Sequence, residues 1–144
     1  MSAKKGLPQF VDTNIFLYAY DRSSLEKHHA AKLLINDLWT SRLGRVSIQV
    51  LQELYVNLTR KIPHPLSKEM AKQIVSDLGQ WKYHVPDLAD IREAINLENK
   101  HRISFWDAMI ICSAKQMNCS ILWTEDLNAG QRFQGVEVKN PFVV

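Results

Sequence analysis

The alternation of short apolar segments with helical patterns constrains this chain more than any other feature. Residues 9–12 form an apolar segment that stops at Asp12-Thr13-Asn14, where two cap-forming residue types flank Thr13, and 15–20 continue as helix. Over 25–39 the apolar residues Ala30, Leu33, Leu34 and Leu38 recur at helical spacing, and Gly44-Arg45 precede a second strand at 46–48. The helix expected over 49–60 carries Val50, Leu54 and Leu58 as its core stripe, widened by Leu51 and Tyr55. Gln49, Glu53, Asn57 and Arg60 form a polar stripe beside it, so Glu53 faces away from the deepest core. Pro63 and Pro65 break the chain before a helix at 67–78, and 83–85 is the third strand, ended by Pro86. Helical patterns at 88–100 and 105–117 lead into a fourth strand at 121–123, which ends at Thr124-Glu125-Asp126; a fifth, at 136–138, precedes Asn140-Pro141. Such an order specifies the α/β class, a three-layer sandwich whose central, mainly parallel five-stranded sheet is flanked by helices.

At 144 residues and 46% hydrophobic, the chain suits one domain, 1–144, with a core that needs no staple. The longest apolar run, 15–20, is too short to cross a bilayer, and the amino terminus lacks the apolar core of a secretion signal. A cytoplasmic protein without membrane contact is therefore expected. Cys112 and Cys119 read as reduced core thiols. The five histidines are scattered with no zinc spacing, which argues against a metal site of nitrogen and sulfur donors. A net charge of +3 permits a polyanionic partner without specifying one.

The informative residues are acids. In an open parallel α/β sheet, ligands bind at the carboxyl edge of the strands, where loops and helix amino termini converge. Asp12 ends the first strand, Glu53 lies in the opening turns of the helix after the second, and Asp126 follows the fourth. Asp107 sits in the first turn of the helix that descends to strand four. Each has a plain structural explanation: Asp12 caps a helix, Ser104 to Asp107 has capping-box spacing with Asp107 bonding back to Ser104, Asp126 is a turn residue, and Glu53 is a solvated helix residue. Independent caps and surface acids have no reason to meet four times at one edge, so a shared site is the better reading. Four neighbouring carboxylates repel one another, and a divalent cation resolves that conflict. Hard oxygen donors select Mg²⁺ or Mn²⁺, which suits phosphodiester hydrolysis.

These residues carry a resemblance that spans nearly the whole chain. Val11-Asp12-Thr13-Asn14, the segment from Gln49 to Tyr55, Ser104-Phe105-Trp106-Asp107-Ala108, and Thr124 to Asn128 followed by Gly130-Gln131 together resemble PIN-domain ribonucleases, specifically the VapC-type toxins of toxin-antitoxin pairs. The resemblance implies a PIN-like nuclease domain and Mg²⁺- or Mn²⁺-dependent endoribonuclease activity leaving 5′-phosphate and 3′-hydroxyl ends. It implies Asp12, Glu53, Asp107 and Asp126 as the catalytic acids. Asp12 and Asp107 would be direct metal ligands, with Glu53 and Asp126 binding directly or through water, and Asn14 and Thr124 support the site. Glu125 adjoins Asp126 and competes with it for the fourth place. The family further implies an RNA substrate, a homodimer and a cognate VapB-type antitoxin.

Arg22, Arg60, Lys61, Lys100, Arg102 and Arg132 are candidates for phosphate contact, each more often a solvated charge. Of four tryptophans, Trp106 alone lies beside a proposed site acid; Trp39, Trp81 and Trp123 read first as core or dimer packing. Two other function classes share the architecture. A phosphoacceptor receiver would use Asp87, Thr124 and Lys139, but it needs an acidic pair where Asp12 is followed by Thr13. A non-catalytic RNA-binding PIN-like domain would keep the acids for metal-supported folding alone. Within the enzyme class, a DNA nuclease is the variant, since acid chemistry does not test for a 2′-hydroxyl.

Overall fold

A computed structural model of the chain describes residues 6–143, and the remainder of the expected 1–144 domain, residues 1–5 and 144, lies outside the described residues. β1 (Gln9–Val11) leads into α1 (Thr13–Tyr20) and α2 (Leu25–Ser41); β2 (Gly44–Ser47) leads into α3 (Ile48–Arg60) and α4 (Lys68–Leu78). β3 (Lys82–His84), α5 (Leu88–His101), α6 (Phe105–Gln116) and β4 (Ile121–Trp123) follow, and β5 (Arg132–Phe133) and β6 (Val136–Lys139) close the chain. The sheet order is β3-β2-β1-β4-β6-β5, parallel throughout except for the β5-β6 pair. The sheet therefore has six strands, not the expected five. The extra one is a two-residue antiparallel strand, too short to show a period of its own, folded back through Gln134 and Gly135 at positive φ.

Helix starts follow local capping chemistry. Ser47, Ser67 and Ser104 each accept a backbone N–H three residues on, and the Ser47 cap starts α3 at Ile48, one residue earlier than the pattern suggested. Asp87 and Asp90 form a reciprocal capping box at α5. Asp87 is thereby committed to a helix end, and the Asp90 amide bonded to its carboxylate holds its pKa below the usual range. Helix ends were less legible, because Arg42 and Arg102 take the left-handed cap conformation that glycine usually signals.

β1 is central, and Phe10, Val11, Val46 and Leu122 are wholly buried between helical layers. Gly44 opens β2, where a Cβ would stand 2.5 Å from the Trp81 ring, so the indole occupies the space a side chain would take. Trp81 in turn lies 5.6 Å from Phe16 and 5.5 Å from Trp39, centroid to centroid. At the far edge, His84 Nδ1 is 2.8 Å from Ser113 Oγ, and its Nε2 is 3.0 Å from Asp90 Oδ2. The order serine, histidine, aspartate is that of a nucleophile relay, yet Ser113 is wholly buried in α6, so the network ties β3 to α5 and α6. Cys112 and Cys119 are free and buried, and burial pushes their thiols up to about 11 and about 12, as suits inert core cysteines. No described helix is long and apolar enough to cross a membrane.

The contact between Gly44 and Trp81 yields a stability prediction. Gly44→Ala is expected to destabilise the fold by about 1–3 kcal/mol through overpacking, read as a lowered urea midpoint at unchanged slope. An unchanged midpoint would show that the ring moves aside freely.

Candidate active site

Strand register brings the first pair of site residues together. Val11 pairs with Trp123 in the parallel β1-β4 ladder, so the residues that leave the sheet next, Asp12 and Thr124, emerge side by side. The Thr124 hydroxyl donates to Asp12 Oδ2 at 2.8 Å, and the Thr13 amide donates to Asp12 Oδ1 at 2.7 Å. Asp12 thus caps α1 as the sequence suggested, while each of its oxygens keeps a lone pair for a further partner. Thr124, wholly buried, is the hub of this corner. Its Oγ1 also accepts from Asn14 Nδ2 at 3.4 Å and from the Asp126 amide at 3.1 Å, and Asn14 Oδ1 accepts the Glu125 amide at 3.3 Å.

The other acids arrive on helices that start at the same edge. α6 must run from the carboxyl edge of the sheet back to the start of β4, which places Asp107 in its first turn at that edge. Ser104 Oγ accepts the Asp107 amide at 3.0 Å, but the expected return bond from the Asp107 carboxylate is absent among the described residues. The capping box is therefore half made, and the carboxylate is left to the cavity. One carboxylate oxygen each from Asp12, Asp107 and Asp126 lies within 4.8 Å of the other two. Glu53 stands outside that triad. Its Oε1 accepts the Thr13 hydroxyl at 2.9 Å from across the same cavity, whose volume is about 170 Å³.

Position separates the two candidates for the fourth acid. Glu125 turns away to accept bonds from Lys27 and the Tyr18 hydroxyl, leaving Asp126 facing Asp107. Lys27 also lies 4.8 Å from the centroid of the Tyr18 ring, which fixes this outer cluster. The polar stripe of α3 proves to be cavity wall: Gln49, Glu53 and Asn57 line it, while Arg60 is exposed. Sequence reasoning placed Gln49 on this face without giving it a task. It is buried, its Nε2 donates to the Trp106 carbonyl at 3.3 Å, and its Oε1 has no partner among the described residues. Thr13, which holds Glu53, was also missed; a hydroxyl between two named polar residues gave no signal of its own.

Electrostatics follow from this crowding. Burial chiefly pushes the Asp12 carboxyl up to about 7, with repulsion from Asp126 and Glu53 adding to it, against the lowering effect of Thr124 and Thr13. Asp126 is also raised, by desolvation first and by Asp107 next. The donor set is hard oxygen alone, and the repulsion among its members is of the kind that a small divalent cation relieves. Asp12, Asp107 and Asp126 are the residues placed to hold one.

The model of the PIN domain matches residues 10–132, most of the chain. The chain belongs to the PIN domain family. This PIN domain is similar in structure to Mycobacterium tuberculosis VapC20, described as a sarcin-ricin loop cleaving toxin, with a TM-score of 0.61 and 20% identity over 79% of this chain and 86% of that one. It is also similar to a chain of a toxin-antitoxin complex from Klebsiella pneumoniae, with a TM-score of 0.66 and 15% identity over 94% of this chain and 99% of that one. At these identities the likeness is one of fold. No protein of curated function matches the sequence.

Two predictions follow from the hub and its charge. Asp12 keeps its proton in the folded PIN domain to about pH 7, whereas the unfolded chain loses it near 3.8, so its unfavourable contribution grows between those values and is complete above them. In chelator, the melting temperature is expected to be higher at pH 5 than at pH 8, and Asp12→Asn is expected to flatten that difference. A steeper fall in Asp12→Asn than in wild type would refute the assignment. Thr124→Val keeps the shape but removes the donor to Asp12, and should weaken divalent-cation binding by about 10- to 100-fold in titration calorimetry.

Proposed function

We propose that this PIN domain is a metal-dependent endoribonuclease that hydrolyses RNA to 5′-phosphate and 3′-hydroxyl products, and that it is the toxin of a type II toxin-antitoxin pair. The observation that carries the reading is the convergence of Asp12, Asp107 and Asp126, from three separate parts of the chain, to within 4.8 Å of one another. Family membership and the likeness in fold to a described toxin and to a chain of a toxin-antitoxin complex support it.

Within this reading, Asp12 and Asp107 would hold a Mg²⁺ or Mn²⁺, with Asp126 and Glu53 completing the set directly or through water. The cation supplies positive charge against the scissile phosphate and an acidified water. The protein's own residues do the rest. Thr124 fixes Asp12 Oδ2 so that the carboxylate has one orientation, and Asn14 braces Thr124 and the Glu125 amide, which sets the turn presenting Asp126. Glu53, which accepts the Thr13 hydroxyl, would orient a water and receive its proton where it does not bind the cation itself. A cytoplasmic homodimer and a VapB-type antitoxin that covers the groove belong to the same proposal.

The receiver alternative finds no support in the site. Asp87 is a helix cap, and Lys139 lies 6.0 Å from the Trp123 ring centroid. The decisive test is incubation of the purified protein with cellular RNA in Mg²⁺ or Mn²⁺. Cleavage is expected that chelator abolishes, that falls by at least about 100-fold in Asp12→Asn and Asp107→Asn, and that survives Glu125→Gln. Cation-raised melting temperature with no cleavage of any RNA would instead establish the non-catalytic reading. Matched single strands of DNA test the choice of sugar, and cleavage of DNA alone would overturn the RNA assignment.

A further inference from the structure

The cavity that holds the acids is small. At about 170 Å³ it lies well under the roughly 300 Å³ at which pockets begin to enclose a small molecule, so it has room for a phosphate group but not for the nucleoside attached to it. A nucleotide bound there must lay its base on the rim. Of the residues lining the cavity, Trp106 is the aromatic one, and 60% of it is exposed. It is the second residue of α6, immediately before Asp107.

Trp106 is exposed but not loosely attached. Its backbone carbonyl accepts the Gln49 side chain at 3.3 Å, which ties the start of α6 to α3. Its ring packs steeply on Phe105, with centroids 5.1 Å apart and planes at 75°, and Phe105 itself is partly buried against the core. A large apolar ring is thus held at the mouth of an acidic cavity, where it contributes little to the core. Such a ring offers a stacking face to an unpaired base, a contact that tolerates any base because each has a π-face.

We propose that Trp106 is a substrate-binding residue, a stacking platform for an unpaired nucleobase flanking the scissile phosphate. The inference rests on the nuclease reading and deepens it, because a base free to stack must lie in a single-stranded or looped segment. Stacking of this kind changes affinity by about 5- to 150-fold, so its loss is expected mainly in KM.

The test uses the full chain with Mg²⁺ and a short single-stranded RNA carrying 2-aminopurine stepped through successive positions. Stopped-flow mixing should show, at one position only, a fluorescence quench that precedes cleavage. Trp106→Leu should lose that quench and raise KM by about 5- to 150-fold with a smaller change in kcat, while Trp106→Phe keeps most of both. The same RNA annealed to its complement should show no dependence on Trp106. If Trp106→Leu cuts with the wild-type KM and the quench persists, the inference alone falls; if its only effect is a changed oligomeric state, the ring is an interface residue and the inference falls with equal force. Failure of the wild type to cut any RNA would remove the nuclease reading and this inference together.

Discussion

A carboxylate in the middle of the sheet edge governs the rest of the site. Asp12 leaves the central strand into a place where water scarcely reaches, and only 5% of it is exposed. A charge so placed is costly unless it is met by hydrogen bonds or by a cation. Two donors, the Thr13 amide and the Thr124 hydroxyl, meet part of the need, and burial still raises the group to about 7. The fold adds Asp126 and Glu53 nearby, which worsens the balance rather than correcting it. A protein selected for stability alone would place a lysine or an apolar side chain here. A cation bound among these acids would supply the missing positive charge.

The parallel ladder makes the arrangement inevitable once the chain folds. The pairing of Val11 with Trp123 delivers Asp12 and Thr124 side by side, and each crossover helix must begin at that same edge. A register slip of one residue would turn each inward side chain outward and dissolve the pair. The same residues therefore serve the fold and the acidic cluster: the cap of α1 is one of its members, and the amide that opens α6 belongs to another. For Asp12 the helix-cap reading and the site reading are compatible, since the bond from the Thr13 amide leaves its carboxylate room for a further partner.

Much of this was legible beforehand. Helical periodicity fixed six helices to within a residue or two, and the position of each acid at a strand end or in an opening helical turn pointed to one edge. What was hidden depended on tertiary contact. Gly44 looks like a turn residue but is strand, because Trp81 fills the place of its side chain. β5 has only two residues, too few to show the alternation that identifies a strand, whereas β3, expected at 83–85, stands at Lys82–His84. Whether Glu125 or Asp126 joined the cluster turned on Lys27 and Tyr18, far away in sequence. The stripe of Gln49, Glu53 and Asn57 was visible as polar spacing, but only the packing of α3 beside α1, with the Gln49 bond to the start of α6, made it a cavity wall.

The central claim is that three separated aspartates form one binding place for a hard dication. Anomalous diffraction from crystals soaked in Mn²⁺ tests it most directly. A peak is expected about 2 Å from carboxylate oxygens of Asp12 and Asp107, with Asp126 bound to it directly or through one water. A well-ordered crystal at saturating Mn²⁺ with no density between these side chains, or with the ion held by other residues, would contradict it.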